Sequence, residues 1–348
     1  MKERNHTIDF FRGIAAISII IHHVASYSGV VYSPYAIIPL TMLIDVPAFL
    51  FIAGWSFCYN RDWKTYLLRI VRLVFSSVIF SLLYVLFIEI FDVFHKGESV
   101  HVRAIIDLWW SQSLFRGELH DIFSVVNASL WFMPLYIKVY LLLGVIVLIF
   151  SCFVEDERTK GILGALLTAV FFGFFFYLQT GRSIPGVQID VVFYGFFFLL
   201  GYFGSRISVS VRRFYILLFL LTAGAVVWME FFTEKKLEGM QFNKFPPNMM
   251  FWAYSMLFIY VILFFKEVKI SERSLFAKIG RSALYFFWGQ GFAVSIINQV
   301  DDYIVLPWFW KYTLSCAAGI ILTACFAFVI KFIVENLWKQ IYQKLITK

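Results

Sequence analysis

Apolar runs long enough to cross a bilayer follow one another down this chain, near 8–27, 36–59, 73–94, 130–150, 161–178, 189–205, 214–232, 249–265, 279–298 and 312–334. A hydrocarbon core about 30 Å thick needs about 17 to 25 helical residues. In that solvent a backbone N–H or C=O has no water to bond, so each spanning segment must satisfy its own polar groups as a helix. The sequence therefore predicts an all-α polytopic membrane protein with about ten transmembrane helices. Composition agrees: 61% of the 348 residues are hydrophobic and only 15% charged, with mean hydropathy +0.79, too apolar for a water-facing fold. No connection is long enough for an appended soluble domain, so residues 1–348 read as one integral-membrane domain.

The net charge of +8 needs no nucleic-acid partner. With the N-terminus in the cytosol, twenty-one of the thirty Lys and Arg residues fall on inner segments and eight on outer ones, with Lys138 inside a span. That is the positive-inside rule, and it predicts both termini cytosolic. No basic aromatic platform or zinc-finger spacing appears. Cys58, Cys152, Cys316 and Cys325 lie in or beside apolar runs without paired spacing, so neither a disulfide framework nor a metal site is expected. The first run resembles a signal peptide until Arg12 and the His22–His23 pair interrupt its apolar part, which predicts that it is retained.

Those ionisable groups are the next constraint, because a charge within a span is costly unless it faces a polar interior. At about 100° per residue, Arg12 and His23 share one face of the first helix, about 16 Å apart along its axis. Asp9 lies one turn before Arg12 and is placed to pair with it. His22 is rotated by about 100° and faces a neighbouring helix. Asp45 and Lys138 fall at a depth similar to His23, so they could pair with each other, or Asp45 could orient the His23 imidazole. Glu89, Asp92, Asp190 and Glu230 fall at outer helix ends. The polar connection from His95 to Ser129, with Trp109 and Trp110, reads either as an interfacial amphipathic helix or as a lid over an acceptor. No internal repeat is visible, which counts against the common transporter architectures.

Several motifs in order resemble the acyltransferase-3 family of integral-membrane acyltransferases. "DFFRGIAAISIIIHH" resembles the family's opening signature, an Arg followed by ten residues and a His. "VPAFLFIAGWSF" (46–57) resembles its second-helix run, and "YLLRIVRLV" (66–74) supplies Arg-x-x-Arg as Arg69 and Arg72. "LWFMPLY", "FFLLGYFG" and "IGRSALYFFWGQ" fit later patterns in the same order. Two positions depart from the family: Ala53 replaces the usual Ser before Gly54, and Gln290 stands where many members have His. Glutamine exchanges hydrogen bonds but cannot shuttle a proton, so a two-histidine mechanism is disfavoured.

The resemblance implies a single acyltransferase domain in a bacterial-type plasma (inner) membrane. It also implies a cytosolic acyl-CoA donor, acetyl-CoA first, and an acceptor hydroxyl on a cell-surface or lipid-linked glycan. Arg12, Arg69 and Arg72 would bind the CoA phosphates. His23 would act as general base or acyl carrier, with Asp45 orienting it. Lys138, Trp131 and Gln290 would hold the acceptor or the thioester oxyanion. Membrane lipids are the remaining partners, and a homodimer is left open. The alternatives are a transporter or flippase for a sugar or lipid-linked substrate, and a sensor or scaffold without chemistry.

Overall fold

A computed structural model describes residues 4–27, 37–59, 62–96, 125–126, 129, 131–154, 156–182, 184–204 and 212–346. Among them the regular structure is helical, with no strand: α1 His6–Tyr27, α2 Ile37–Thr41, α3 Val46–Phe57, α4 Trp63–Lys96, α5 Phe132–Phe153, α6 Glu157–Gln179, α7 Ile189–Gly204, α8 Arg212–Phe232, α9 Met240–Lys244, α10 Met249–Phe265, α11 Leu275–Gly280, α12 Ala283–Val300 and α13 Trp308–Ile346. Most of the connection from His95 to Ser129, and the side chains of Glu89 and Asp92, lie outside the described residues.

Each of the ten expected spans contains helix, but among the described residues seven segments, not ten, are long and apolar enough to cross a membrane: His6–Ser26, Ile37–Phe57, Trp63–Phe87, Phe132–Phe150, Thr159–Gln179, Arg213–Phe232 and Trp308–Gln343. Helices α7 and α10 are apolar but shorter, and α12 is diluted by Gln290, Asn298 and Gln299. The second span is also not one helix. It breaks between Thr41 and Val46, where Asp45 adopts extended backbone and caps α3 by accepting the Val46 N–H at 2.7 Å. An aspartate at the cap followed by Pro47 in the first turn is a strong helix start, and it overrides the apolar continuity of the run. Irregular backbone at membrane depth persists only where protein covers it, and Met42, Asp45 and Val46 are all buried.

Helices α1, α3 and α7 form the centre, with α1 against α11, α12 and α13, and α3 against α7. Two close crossings set this arrangement. A Cβ on Gly54 would overlap the Phe198 carbonyl, and one on Gly201 would overlap that of Phe51, so α3 and α7 meet backbone to backbone. Gly13 and Gly280 do the same for α1 and α11. Small residues drive such packing because lipid offers no hydrophobic incentive to associate, leaving close van der Waals contact as the source of stability. Around the crossings, Phe57 makes edge contacts with Tyr66, Tyr140, Phe198 and Tyr202. Helices α6, α8 and much of α13 keep large apolar side chains exposed, as a lipid-facing periphery requires.

Candidate active site

The site is built in layers along α1. At one end of the bundle lies a basic mouth of about 690 Å3, lined by Arg4, Arg69 and Arg72, by Lys278, Arg281 and Lys331, and by Glu335. Arg72 pairs with Glu335 at 2.6 Å, and the Tyr285 hydroxyl donates to the same oxygen at 3.0 Å. Lys331 donates to Ser282 at 2.9 Å. Arg4 grips Asp9 through two bonds, 2.5 and 3.0 Å. Cations outnumber carboxylates here, so the mouth favours an anion.

A throat of about 220 Å3 adjoins the mouth and shares Leu73, Arg281 and Leu284 with it. Arg12 supplies the throat's own cation, set by Asp9 at 3.4 Å and by Ser56 Oγ at 3.0 Å. The rest of the wall includes Phe49, Ala53, Met133 and Tyr136. With alanine at 53, the wall there is a methyl group, and the hydroxyl that meets Arg12 comes from the next turn, at Ser56. Phe132 and Phe287 also line the throat and lie edge to face, 5.1 Å apart.

Gln290 lies one turn of α12 beyond Phe287, and Ser129 stands three residues before Phe132 in the chain. Gln290 is wholly buried, with Oε1 2.5 Å from His23 Nδ1 and Nε2 donating to Ser129 Oγ at 3.1 Å. Ser129 in turn donates to the Val125 carbonyl at 2.7 Å. His22, as its helical phase predicts, faces elsewhere: it is buried with Nδ1 2.9 Å from Thr41 Oγ1 on α2.

Beside α2 sits a pair that the sequence did not disclose. Lys244 Nζ lies 2.7 Å from Asp45 Oδ2, and both residues are buried. The ammonium also faces the rings of Trp131 and Phe245, each 5.3 Å from the ring centre. Positive-inside bookkeeping places Lys244 in an outer loop; the structure folds that loop inward. Asn248 caps α10 through Met250 and Phe251, donates to Asn243 at 2.8 Å, and Asn243 donates to the Lys236 carbonyl at 2.9 Å. The only sequence signal for this was the run "FNKFPPN", whose asparagines and prolines favour a built turn over a solvated one.

The structure thus brings together Arg12, Arg69 and Arg72 at the mouth and throat, and His23 with Gln290 beyond them. It separates the others. The Asp45 carboxylate bonds to Lys244 and Val46, and the place beside His23 belongs to Gln290. Lys138 does not meet Asp45: its ammonium donates to Gln188 at 3.1 Å, and it lines a mainly apolar cavity of about 820 Å3 with Leu141, Phe171 and Val191. Trp131 packs on Phe245 and Tyr194 and belongs with Lys244. Arg281, Lys278, Arg4 and Lys331 are mouth residues beyond the Arg-x-x-Arg pair. They come from three separate elements and share no spacing that would have grouped them.

No curated protein and no solved structure matches the chain. The sequence profile of the acyltransferase-3 family, described as an acyltransferase domain, matches residues 5–331 of the 348. A match over nearly the whole length, on a bundle with several membrane-crossing helices, identifies this chain as a membrane acyltransferase of the acyltransferase-3 family.

Proposed function

We propose that this acyltransferase takes an acetyl group from acetyl-CoA at its basic mouth, on the cytosolic side of a bacterial-type plasma membrane. The acceptor is a hydroxyl of a cell-surface or lipid-linked glycan. One observation carries the reading: a cationic mouth passes directly into a narrow, mostly apolar throat whose cations are Arg281, shared with the mouth, and Arg12, and the throat's Phe287 lies one turn of α12 from Gln290, which holds His23. CoA has that shape and polarity, with phosphates at one end and an uncharged arm ending in the thioester. Guanidinium groups suit the phosphates because they bind them bidentately.

His23 serves as the base. It takes the proton from the acceptor hydroxyl as that oxygen attacks the thioester carbonyl carbon. The tetrahedral intermediate then expels sulfur, the C–S bond breaks, and the CoA thiolate recovers the proton. Arg12, fixed by Asp9 and Ser56, is the cation closest along α1 to this chemistry and steadies the donor in the throat. An acyl-imidazole on His23 is the covalent version of the same route. Asp45 and Lys244 brace the wall beside Trp131, where the acceptor approaches.

The experiment is acetyl transfer by purified protein in nanodiscs, from labelled acetyl-CoA to extracted surface glycan. Wild type and His22→Ala are expected to turn over, with His23→Ala losing about 10²–10⁴-fold, the usual worth of a positioned base. Full activity in His23→Ala would overturn the role given to His23. Hydroxylamine-labile label on His23 without acceptor would select the covalent version.

A further inference from the structure

Gln290 is completely buried at the middle of a hydrogen-bonded chain, and its amide can face either way only if its neighbours permit. Ser129 settles the direction. A backbone carbonyl can only accept, so the 2.7 Å contact between Ser129 Oγ and the Val125 carbonyl consumes the single hydroxyl proton. Ser129 Oγ then has only lone pairs to offer Gln290, and the group 3.1 Å away must be the amide NH2. That orientation puts Oε1, an acceptor, 2.5 Å from His23 Nδ1. A neutral imidazole can satisfy an acceptor at Nδ1 only by carrying its proton there, which leaves Nε2 as the basic nitrogen. The reverse amide would set NH2 against an Nδ1 lone pair, but would also press Oε1 against an oxygen whose proton is already engaged. Because Gln290 and Ser129 are both buried, such a repulsive contact is costly.

We propose that Ser129 and Gln290 are positioning residues that hold His23 as its Nδ1–H tautomer, so that Nε2 is the atom that accepts the substrate proton. This rests on the reading of His23 as the base and deepens it. A primary amide has both a donor and an acceptor, so Gln290 transmits the polarity of Val125 and Ser129 to the imidazole without taking part in proton transfer. Both residues are buried and act on the reaction through His23.

The test separates positioning from catalysis. Histidine ring nitrogens are read by 15N NMR of the full-length protein in nanodiscs, with the His23 signals assigned by their loss in His23→Gln. Wild type is expected to show His23 protonated at Nδ1. In Ser129→Ala the amide loses its anchor, so the Nδ1–H form should give way to a mixture. kcat should fall about 10- to 100-fold, the range for losing an imidazole's outer hydrogen-bond partner, while KM for acetyl-CoA stays put. Ser129→Thr should recover both the tautomer and kcat. Gln290→Glu, which keeps an acceptor at Nδ1, should retain the Nδ1–H signal. An Nε2–H signal in wild type, or a tautomer unmoved by Ser129→Ala, would overturn the proposal. Because the spectrum needs no turnover, a correct tautomer in a protein whose His23→Ala variant remains active would refute His23 as the base and leave the positioning intact.

Discussion

Breaking the ion pair between Asp45 and Lys244 should cost far more than the pair itself is worth. Both residues are almost fully buried, at 4% and 5% exposure, and their charged atoms are 2.7 Å apart. At an effective dielectric of about 20, unit charges at that separation attract by about 6 kcal/mol. Desolvation costs several kcal/mol per ion, so the net contribution of the pair is small. A lone partner has no such compensation, and removing one side of a buried pair typically costs about 3–5 kcal/mol. Lys244→Met strands a carboxylate at the start of α3; Asp45→Asn strands an ammonium between Trp131 and Phe245. The double variant removes both charges, and its asparagine still offers an oxygen to the Val46 N–H. Each single variant should therefore lose about 3 kcal/mol or more, and the double variant no more than either single, a coupling of about 3 kcal/mol. Reversible unfolding in mixed micelles, followed by tryptophan fluorescence, measures all four corners of the cycle. Singles within about 1 kcal/mol of wild type, or strictly additive losses, would show that the pair is not buried and that the break in the second span has another cause.

Further expectations follow from the same geometry. Gly54→Val places side-chain atoms where the Phe198 carbonyl sits, so it should destabilise by at least the ~1–3 kcal/mol of an overpacked contact; Gly161→Ala, with nothing within 4 Å of the added Cβ, should melt like wild type. Arg281, which lines both mouth and throat, should matter to donor binding: losing a charge-assisted bond worth about 1.5–3 kcal/mol raises KM for acetyl-CoA about 10- to 100-fold in Arg281→Ala, with kcat little changed in steady-state assays. Asp62 caps α4 by accepting the Thr65 N–H and hydroxyl, each at 2.7 Å, and these bonds hold its carboxyl below the ordinary value. A depressed carboxyl stabilises above the unfolded value of about 3.9 and loses that contribution as pH falls through its lower folded value. Protection of the first-turn amides of α4, measured relative to the intrinsic exchange rate at each pH, should therefore fall on acidification below about pH 4 in wild type, and an Asp62→Asn protein should not show that step.

Much of the site was legible from the first helix alone. Ionisable residues at 9, 12, 22 and 23 violate the composition of a span, and the angular period of a helix sorts them without further information. Asp9 does pair with Arg12, and His22 does turn away from His23 onto another element. The partners of those residues were not legible. Asp45 and Lys138 looked matched in depth, yet depth is one coordinate and pairing needs three; Lys138 faces Gln188 and Asp45 takes Lys244, 199 positions away in sequence.

What the sequence determined by itself is therefore what depends on local rules: helices, because lipid leaves the backbone no other partner; the family, through motifs kept in order along the chain; and the face on which Arg12 and His23 lie. The tertiary structure decided what depends on distance through space. It broke the second span at a capped aspartate, folded Lys244 inward to neutralise it, and gathered cations from α1's approach, α4, α11 and α13 around one mouth. Burial in a medium of low dielectric makes every charge and amide find a complement, but which complement it finds is set by how the helices cross, and that is decided by close glycine contacts between segments far apart in the chain.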